Sequence, residues 1–272
     1  MPGSSHFQEP HHFAPIYSAL NQAEVDFVII GGQACNLWAL MYEKQEPDLK
    51  TFLPYTSRDL DVWSRSQRDV TATAELLHVR AKLTEVGSAD PDIGHFTYPS
   101  TNGKLFVQFL TGAYGVKTKQ VIQSRQNYTW EAYNLNLSVM HPLLSLEAKL
   151  NSFYGLDQTN RQDLKHLKMA LLYTPIFILE KADEGKIKPV LRMCQHILSI
   201  ASSKYGLRLY QENGLSIEYA IPMNGLKEIK SEKTDKFLQI QLPKELEKLA
   251  KFKQRRASTS AAPGNHKTRD LG

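Results

Sequence analysis

The chain reads as an α+β protein: a mixed β-sheet core with flanking helices, followed by a mostly helical C-terminal region. Three observations predict this class. The run Val25-Asp26-Phe27-Val28-Ile29-Ile30 is rich in β-branched residues and stops at Gly31-Gly32, as a buried strand does when it turns into its next element. Two alternating runs, Ile93 to Tyr98 and Lys104 to Leu110, flank an Asn102-Gly103 pair, which is a strong hairpin signal. Beyond His141-Pro142 the apolar residues recur mostly at helical spacing, so the second half of the chain changes character.

The elements follow in order. Phe13, Ile16, Tyr17 and Leu20 form an i, i+3, i+4, i+7 stripe, which predicts a first helix. After the strand and the glycine pair, Ala34, Leu37, Trp38 and Met41 continue as a helix. Glu43 to Ser57 holds Pro47, Pro54 and many charges, so a loop is expected there. Leu60-Asp61-Val62-Trp63 reads as a second strand, and Val70, Ala74, Leu77 and Ala81 as one face of a helix. The hairpin loop, Pro99 to Gly103, is expected to exceed the two-residue ideal slightly. Tyr133 to Met140 reads as a further strand. Helical stripes then cover Leu143 to Phe153, Leu164 to Leu172 and Val190 to Ile200, while Ile217 to Ile221 and Phe237 to Leu242 read as short strands. The resulting division is a flexible leader over 1–12, an α/β core over 13–140, a mainly helical domain over 141–256 and a disordered basic tail over 257–272, whose Ala-Ser-Thr-Ser-Ala-Ala-Pro-Gly-Asn stretch can bury little.

Composition narrows the classes. Of 272 residues, 42% are hydrophobic and 22% charged, an ordinary globular balance. No run approaches the roughly 18 to 20 apolar residues of a membrane helix, so no membrane partner is expected. The opening MPGSSHFQEPHHF lacks a basic n-region and an apolar h-region, so no secretory signal is expected. Cys35 and Cys194 have neither disulfide-framework nor metal-ligand spacing, which points to a reducing, cytoplasmic compartment. The net charge of +5 gathers late, in Lys244, Lys248, Lys251, Lys253, Arg255, Arg256, Lys267 and Arg269. Such a tail reads either as a phosphate-contacting arm for RNA or as a solvated terminus. His6, His11 and His12 have no cysteine near them and only Glu9 as a nearby acid, so the leader is read as a leader and not as a metal site.

Two segments carry chemistry. In Ile30-Gly31-Gly32-Gln33-Ala34 a strand turns sharply into a helix; glycine allows the turn, and the open N–H groups of the helix start favour phosphate. In Ser57-Arg58-Asp59-Leu60-Asp61-Val62-Trp63 the strand period puts Asp59 and Asp61 on one side, roughly 7 Å apart at Cα. Two like charges so placed repel, and a divalent cation offsets that. Oxygen ligands suit Mg²⁺, or Mn²⁺ in its place. A solvated strand edge explains Asp-x-Asp alone, and an ordinary turn explains Gly-Gly alone. Together they predict a site holding a nucleoside triphosphate and a metal.

The stretch Phe27-Val-Ile-Ile-Gly-Gly-Gln-Ala, with Thr56-Ser-Arg-Asp-Leu-Asp-Val, resembles the nucleotidyltransferase-fold superfamily, most nearly its minimal and abortive-infection toxin-associated branch. The resemblance covers about residues 13 to 172. It implies a nucleotidyltransferase-like core, with Gly31 and Gly32 as the phosphate-binding turn and Asp59 and Asp61 as metal ligands. It implies a third carboxylate on a later strand, where Gln108 stands in Leu105-Phe106-Val107-Gln108-Phe109-Leu110. Lys149 in Leu146-Glu-Ala-Lys-Leu150, and the acidic follow-up Arg161-Gln-Asp-Leu164, echo the family's later helices. Gln33, Arg58, Gln108 and Lys149 are the expected nucleotide-binding residues outside the glycines. The activity implied is transfer of a nucleoside monophosphate to RNA, a protein hydroxyl or a small molecule. The other reading is an inactive binding or regulatory protein, such as one member of a toxin–antitoxin-like pair.

The remaining chemistry-bearing side chains have plainer readings. Cys35 has no adjacent histidine and reads as a small buried helix residue. Cys194 and His196 read as packing and surface residues. Trp38 and Trp63, next to the two motifs, read as core first and base-stacking rings second.

Overall fold

The computed structural model describes residues 7–85, 87–88 and 90–260, with side chains through Arg255. Its sheet has seven strands: β1 (Val28–Ile30), β2 (Asp59–Trp63), β3 (Lys82–Leu83), β4 (Asp92–Ser100), β5 (Gly103–Leu110), β6 (Gln126–Trp130) and β7 (Leu135–Val139). They lie in the order β3-β4-β5-β2-β1-β7-β6. The sheet is mixed, because β2 runs antiparallel to β1 but parallel to β5, and β1 runs parallel to β7. The short, wholly buried β1 lies inside the sheet, which suits its unbroken Val-Ile-Ile run.

Among the described residues six helices complete the first of two compact units, Met1–Ile178: α1 (Ala14–Gln22), α2 (Gly31–Tyr42), α3 (Gln67–Leu76), α4 (Thr118–Ser124), α5 (Pro142–Gly155) and most of α6 (Asp163–Asp183). The stripe in α1 is fully sheltered at Ile16, Tyr17 and Leu20. Both α1 and α3 end in a left-handed residue, Glu24 and His78. The following amides, of Val25 and Val79, reach back to the carbonyls of Leu20 and Ala74, a closure that satisfies last-turn oxygens. For this reason α3 stops at Leu76 and does not extend to Ala81.

The helical region differs from expectation at its start and in two segments. The unit boundary falls at Ile178 and Leu179, not at residue 140, because α5 and α6 join the sheet's core. Trp38 of α2 donates to the Met140 carbonyl at 2.8 Å and meets Phe177 of α6 edge-on at 5.9 Å. The second unit, Leu179–Gly272, holds the end of α6 with α7 (Ile187–Ser202), α8 (Lys204–Asn213), α9 (Met223–Glu228), α10 (Glu232–Lys236) and α11 (Leu242–Ser260). Ile217–Ala220 is a 3₁₀ turn and Phe237–Gln241 a π-helical turn, so neither expected strand forms. Ile217, Ala220 and Ile221 are all buried, at the i, i+3, i+4 spacing that a helical turn also satisfies.

Other corrections are local. The hairpin closes on two residues, since Ser100 pairs with Gly103. The Glu43 to Ser57 loop contains a 3₁₀ turn, Pro47–Phe52. Leader residues 1–6 lie outside the described residues, but Gln8 is 2% exposed and pairs through its backbone with Ser57, and Pro10–Phe13 form a 3₁₀ turn. The helix α11 runs to Ser260, past the expected start of disorder, and residues 261–272 lie outside the described residues. The basic face of α11 is largely neutralised: Lys248 pairs with Glu245, Lys251 with Glu247 and Lys253 with Glu218. Among the described residues no helix is long and apolar enough to cross a membrane.

Candidate active site

Three neighbouring strands line up their residues at one level. Ile30 of β1 pairs with Asp61 of β2, and Asp61 pairs with Gln108 of β5. Directly paired residues share a sheet face, so Gln108 stands beside Asp61 where a third acid was expected. Two residues back, Asp59 lies opposite Phe106, which supplies no charge. Among the described residues no group of three His, Cys, Asp or Glu side chains is placed to hold a metal ion. The carboxylates at this end of β2 are therefore Asp59 and Asp61 alone, with the Gln108 amide as a neutral neighbour.

The glycine turn is built around one of those carboxylates. Gly31, the first residue of α2, has φ +68°, in the left-handed region, and a Cβ there would sit 2.2 Å from Asp61 Oδ2. A Cβ at Gly32 would sit 2.3 Å from Ser57 Oγ and 2.9 Å from His166 Cε1. The residue before them, Ile30, offers α2 no side-chain cap, so the first amides of this 12-residue helix keep their donors open to a ligand. We expect Gly31→Ala to cost about 2 to 4 kcal/mol, the sum of a left-handed Cβ and a displaced neighbour. Urea unfolding measures it; a loss within about 0.5 kcal/mol, the scatter of a neutral surface change, would show that Asp61 swings away freely.

Cations surround the acids. Arg58 donates to Asp59 Oδ2 from Nη2 at 3.2 Å and from Nε at 3.3 Å. Lys149 of α5 is buried, not solvated, and its Nζ donates to Asp163 Oδ1 at 2.9 Å; Arg161 Nε donates to Asp163 Oδ2 at 2.6 Å. Burial and the charge of Asp59 push Asp61 up to about 7, against the pull of Lys149, Arg161 and Arg58. Burial alone would raise Asp163 too, but the Lys149 charge and the Arg161 and Lys149 hydrogen bonds bring it down to about 2. Burial works to lower Lys149, and the Asp163 carboxylate outweighs it, so the ammonium is held above its usual value.

These groups line one open cleft of about 210 Å³. That is smaller than the roughly 300 to 1,000 Å³ typical of sites enclosing a whole small molecule. It suits the charged part of a ligand, with the remainder at the mouth. Gly31, Gly32, Arg58, Asp59, Asp61, Gln108 and Lys149 all line it. Gln33 does not: it is fully buried, its Nε2 donates to the Gln8 carbonyl at 3.0 Å and its Oε1 accepts from Asn36. Its place as a nucleotide contact is withdrawn, because both ends of its amide are engaged elsewhere.

Several lining residues were not singled out from the sequence. His166, one helical turn after Asp163, is 2% exposed and donates from Nε2 to the Thr56 carbonyl at 3.1 Å. Burial, with the Lys149 charge, lowers it to about 3, so it is neutral near pH 7. Phe7 and Tyr114 also face the cleft. The nearest signal for Tyr114 was its setting in Gly112-Ala113-Tyr114-Gly115, a turn-rich link directly after β5. Trp38 and Trp63 are core residues at 3% exposure, and Cys35 and Cys194 are buried thiols.

No protein-family model matches this chain, and neither a curated protein nor a solved structure matches it.

Proposed function

We propose that this protein binds a nucleoside triphosphate with Mg²⁺ and transfers its nucleoside monophosphate to an acceptor, on a nucleotidyltransferase-like core. One observation carries the reading. The uncapped start of α2 and the Asp59–Asp61 pair meet in one cleft, with Gly31 packed so tightly on Asp61 that only glycine fits. Phosphate is favoured at such a helix start, and two carboxylates with phosphate oxygens make an ordinary Mg²⁺ site.

Asp59 and Asp61 would hold the metal, and the donor set fits it: burial and the Asp59 charge both hold Asp61 above its usual value, and a divalent cation would offset both. When bound, Mg²⁺ polarises the reacting phosphate and offsets charge on the leaving pyrophosphate. The amides at Gly31 and Gly32 orient the outer phosphates. Arg58, part exposed at the rim, is placed to exchange Asp59 for phosphate oxygen. Lys149 is already committed to Asp163 and contributes field rather than a free donor.

The second reading, an inactive nucleotide-binding or regulatory protein, is favoured by Gln108. A neutral amide beside Asp61 neither adds charge to the metal site nor serves as a base. The two readings share the binding step and differ in turnover.

Titration calorimetry with each nucleoside triphosphate tests the shared step. Binding should require Mg²⁺ and should vanish in Asp59→Asn/Asp61→Asn. Incubation with α-labelled nucleotide and tRNA, protein or aminoglycoside acceptors then separates transferase from binding module. Saturable binding with no label transferred to any of these acceptors decides for the module; absence of binding at millimolar nucleotide, about 4 kcal/mol of affinity, rejects both.

A further inference from the structure

We propose that Tyr114 and Phe7 are the nucleobase-stacking residues of the cleft, an assignment that rests on the nucleotide-binding reading above. Both rings line the same cleft as the glycine turn and Asp59. Both remain open to solvent, Phe7 at 41% and Tyr114 at 50% exposure. A cleft too small for a whole nucleotide needs a surface at its mouth for the base, and an aromatic face is the chemistry that accepts any base.

The chain beside each ring is anchored, and each ring leaves an exposed surface. Next to Phe7, Gln8 exchanges two backbone hydrogen bonds with Ser57, at 2.7 and 3.0 Å. Its carbonyl accepts from Gln33, its Nε2 donates to the Asn102 carbonyl at 3.3 Å, and its Oε1 meets His12 Nδ1 at 2.7 Å. One buried glutamine thus ties the chain to β1's following helix, to the β4–β5 turn and to the strand entrance two residues before Asp59. Phe7 is the residue this anchoring delivers to the cleft.

Tyr114 is pinned from the other side. Its hydroxyl donates to the Gly155 carbonyl at 3.4 Å, and the Gly115 carbonyl accepts from Asn151 Nδ2 at 3.0 Å. Both glycines are needed for the fit: a Cβ at Gly155 would come 2.4 Å from the Tyr114 hydroxyl, and one at Gly115 2.3 Å from Asn151 Cβ. The ring therefore lies against the end of α5, the helix carrying Lys149, before any ligand arrives. An aromatic face already placed at the mouth loses less freedom on binding, which is how a preorganised platform gains affinity.

The test compares Mg²⁺-ATP with Mg²⁺-tripolyphosphate, which has the phosphates and no base. Wild type should bind ATP the more tightly, and purine triphosphates more tightly than pyrimidine ones. Tyr114→Ala and Phe7→Ala should each weaken ATP by about tenfold, the scale of one lost stack, while leaving tripolyphosphate within about twofold. Tyr114→Phe should keep most of the ATP affinity. Equal affinity of wild type for the two ligands, or alanine variants that lose both ligands alike, overturns the stacking assignment and leaves the phosphate site standing. Binding of neither ligand by wild type overturns the nucleotide reading itself, and the stacking assignment with it.

Discussion

Asp61→Asn should make the protein more stable at pH 8 while abolishing its Mg²⁺-dependent nucleotide binding. The sign follows from the direction of the shift. Asp61 is raised from 3.8 to about 7 in the folded chain, so between those values the folded state holds a proton that the unfolded state has released. Stability then falls as pH rises through the window and stays reduced above it. At about 1.4 kcal/mol per pH unit the upper bound is about 4 kcal/mol, and coupling to Asp59 brings the expected gain to about 2 to 4 kcal/mol. For a chain of this length that is a rise in melting temperature on the order of 5 to 10 °C.

The pH profile separates this effect from a general improvement in packing. Below pH 4 the wild-type carboxyl is protonated in both states, so the variant and the wild type should melt together. The difference should grow from pH 4 to 7 and then level. His166 contributes an opposing slope, since its folded value near 3 lies beneath the ordinary 6.5; its stability is complete above pH 6.5 and lost as pH falls toward 3. Wild type should therefore be nearly flat between pH 4 and 6.5, and Asp61→Asn should climb. Thermal melts from pH 4 to 8 check it, and an equal difference at both ends would refute the electrostatic origin. Added Mg²⁺-nucleotide should narrow the gap by stabilising only the wild type.

How much of this was legible in the sequence depended on which forces left a pattern. The β1–Gly-Gly–α2 unit, β2 with its two aspartates, the β4–β5 hairpin and helices α5, α6 and α7 all carried their own periodicity or turn chemistry. The Gln108 position was legible too, because alternation along β5 fixes which residues face the core. The edge strand β6, Gln126–Trp130, was not, since its residues alternate only between half-buried and exposed and include no apolar run. Short apolar segments at Ile217 and Phe237 satisfied strand and helix patterns alike, and packing chose the helical form. The docking of Gln8 rests on hydrogen bonds to residues 25 to 94 positions away, which no local pattern announces. Lys149 was legible as a residue of the site, but its burial against Asp163 at 2.9 Å was not.

That buried pair should produce the largest single-site loss of stability in the cleft. Asp163 is 2% exposed and the Lys149 side chain 8%. Asp163→Ala leaves the Lys149 ammonium buried without its counter-charge and Arg161 without its acceptor, an arrangement that costs about 3 to 5 kcal/mol. Lys149→Met should cost less, because Arg161 still holds Asp163 Oδ2 at 2.6 Å and the methionine fills the stem's volume. The double variant Lys149→Met/Asp163→Leu should recover much of the Asp163→Ala loss, since Arg161, at 30% exposure, turns to solvent and no buried charge remains. Urea unfolding of the four proteins measures each loss and the recovery. Acid adds a second signature. Asp163 is depressed to about 2, so its contribution is intact above pH 4 and is lost as pH falls toward 2; wild type should lose this part of its stability there, and the double variant should not. An Asp163→Ala protein within about 1 kcal/mol of wild type would mean that water reaches Lys149 and that the pair is a surface bridge. If the large loss is found while Lys149→Met keeps tripolyphosphate affinity within a few-fold, Lys149 acts by holding α5 and α6 against the cleft. Asp59, Asp61 and the glycine amides then carry the ligand.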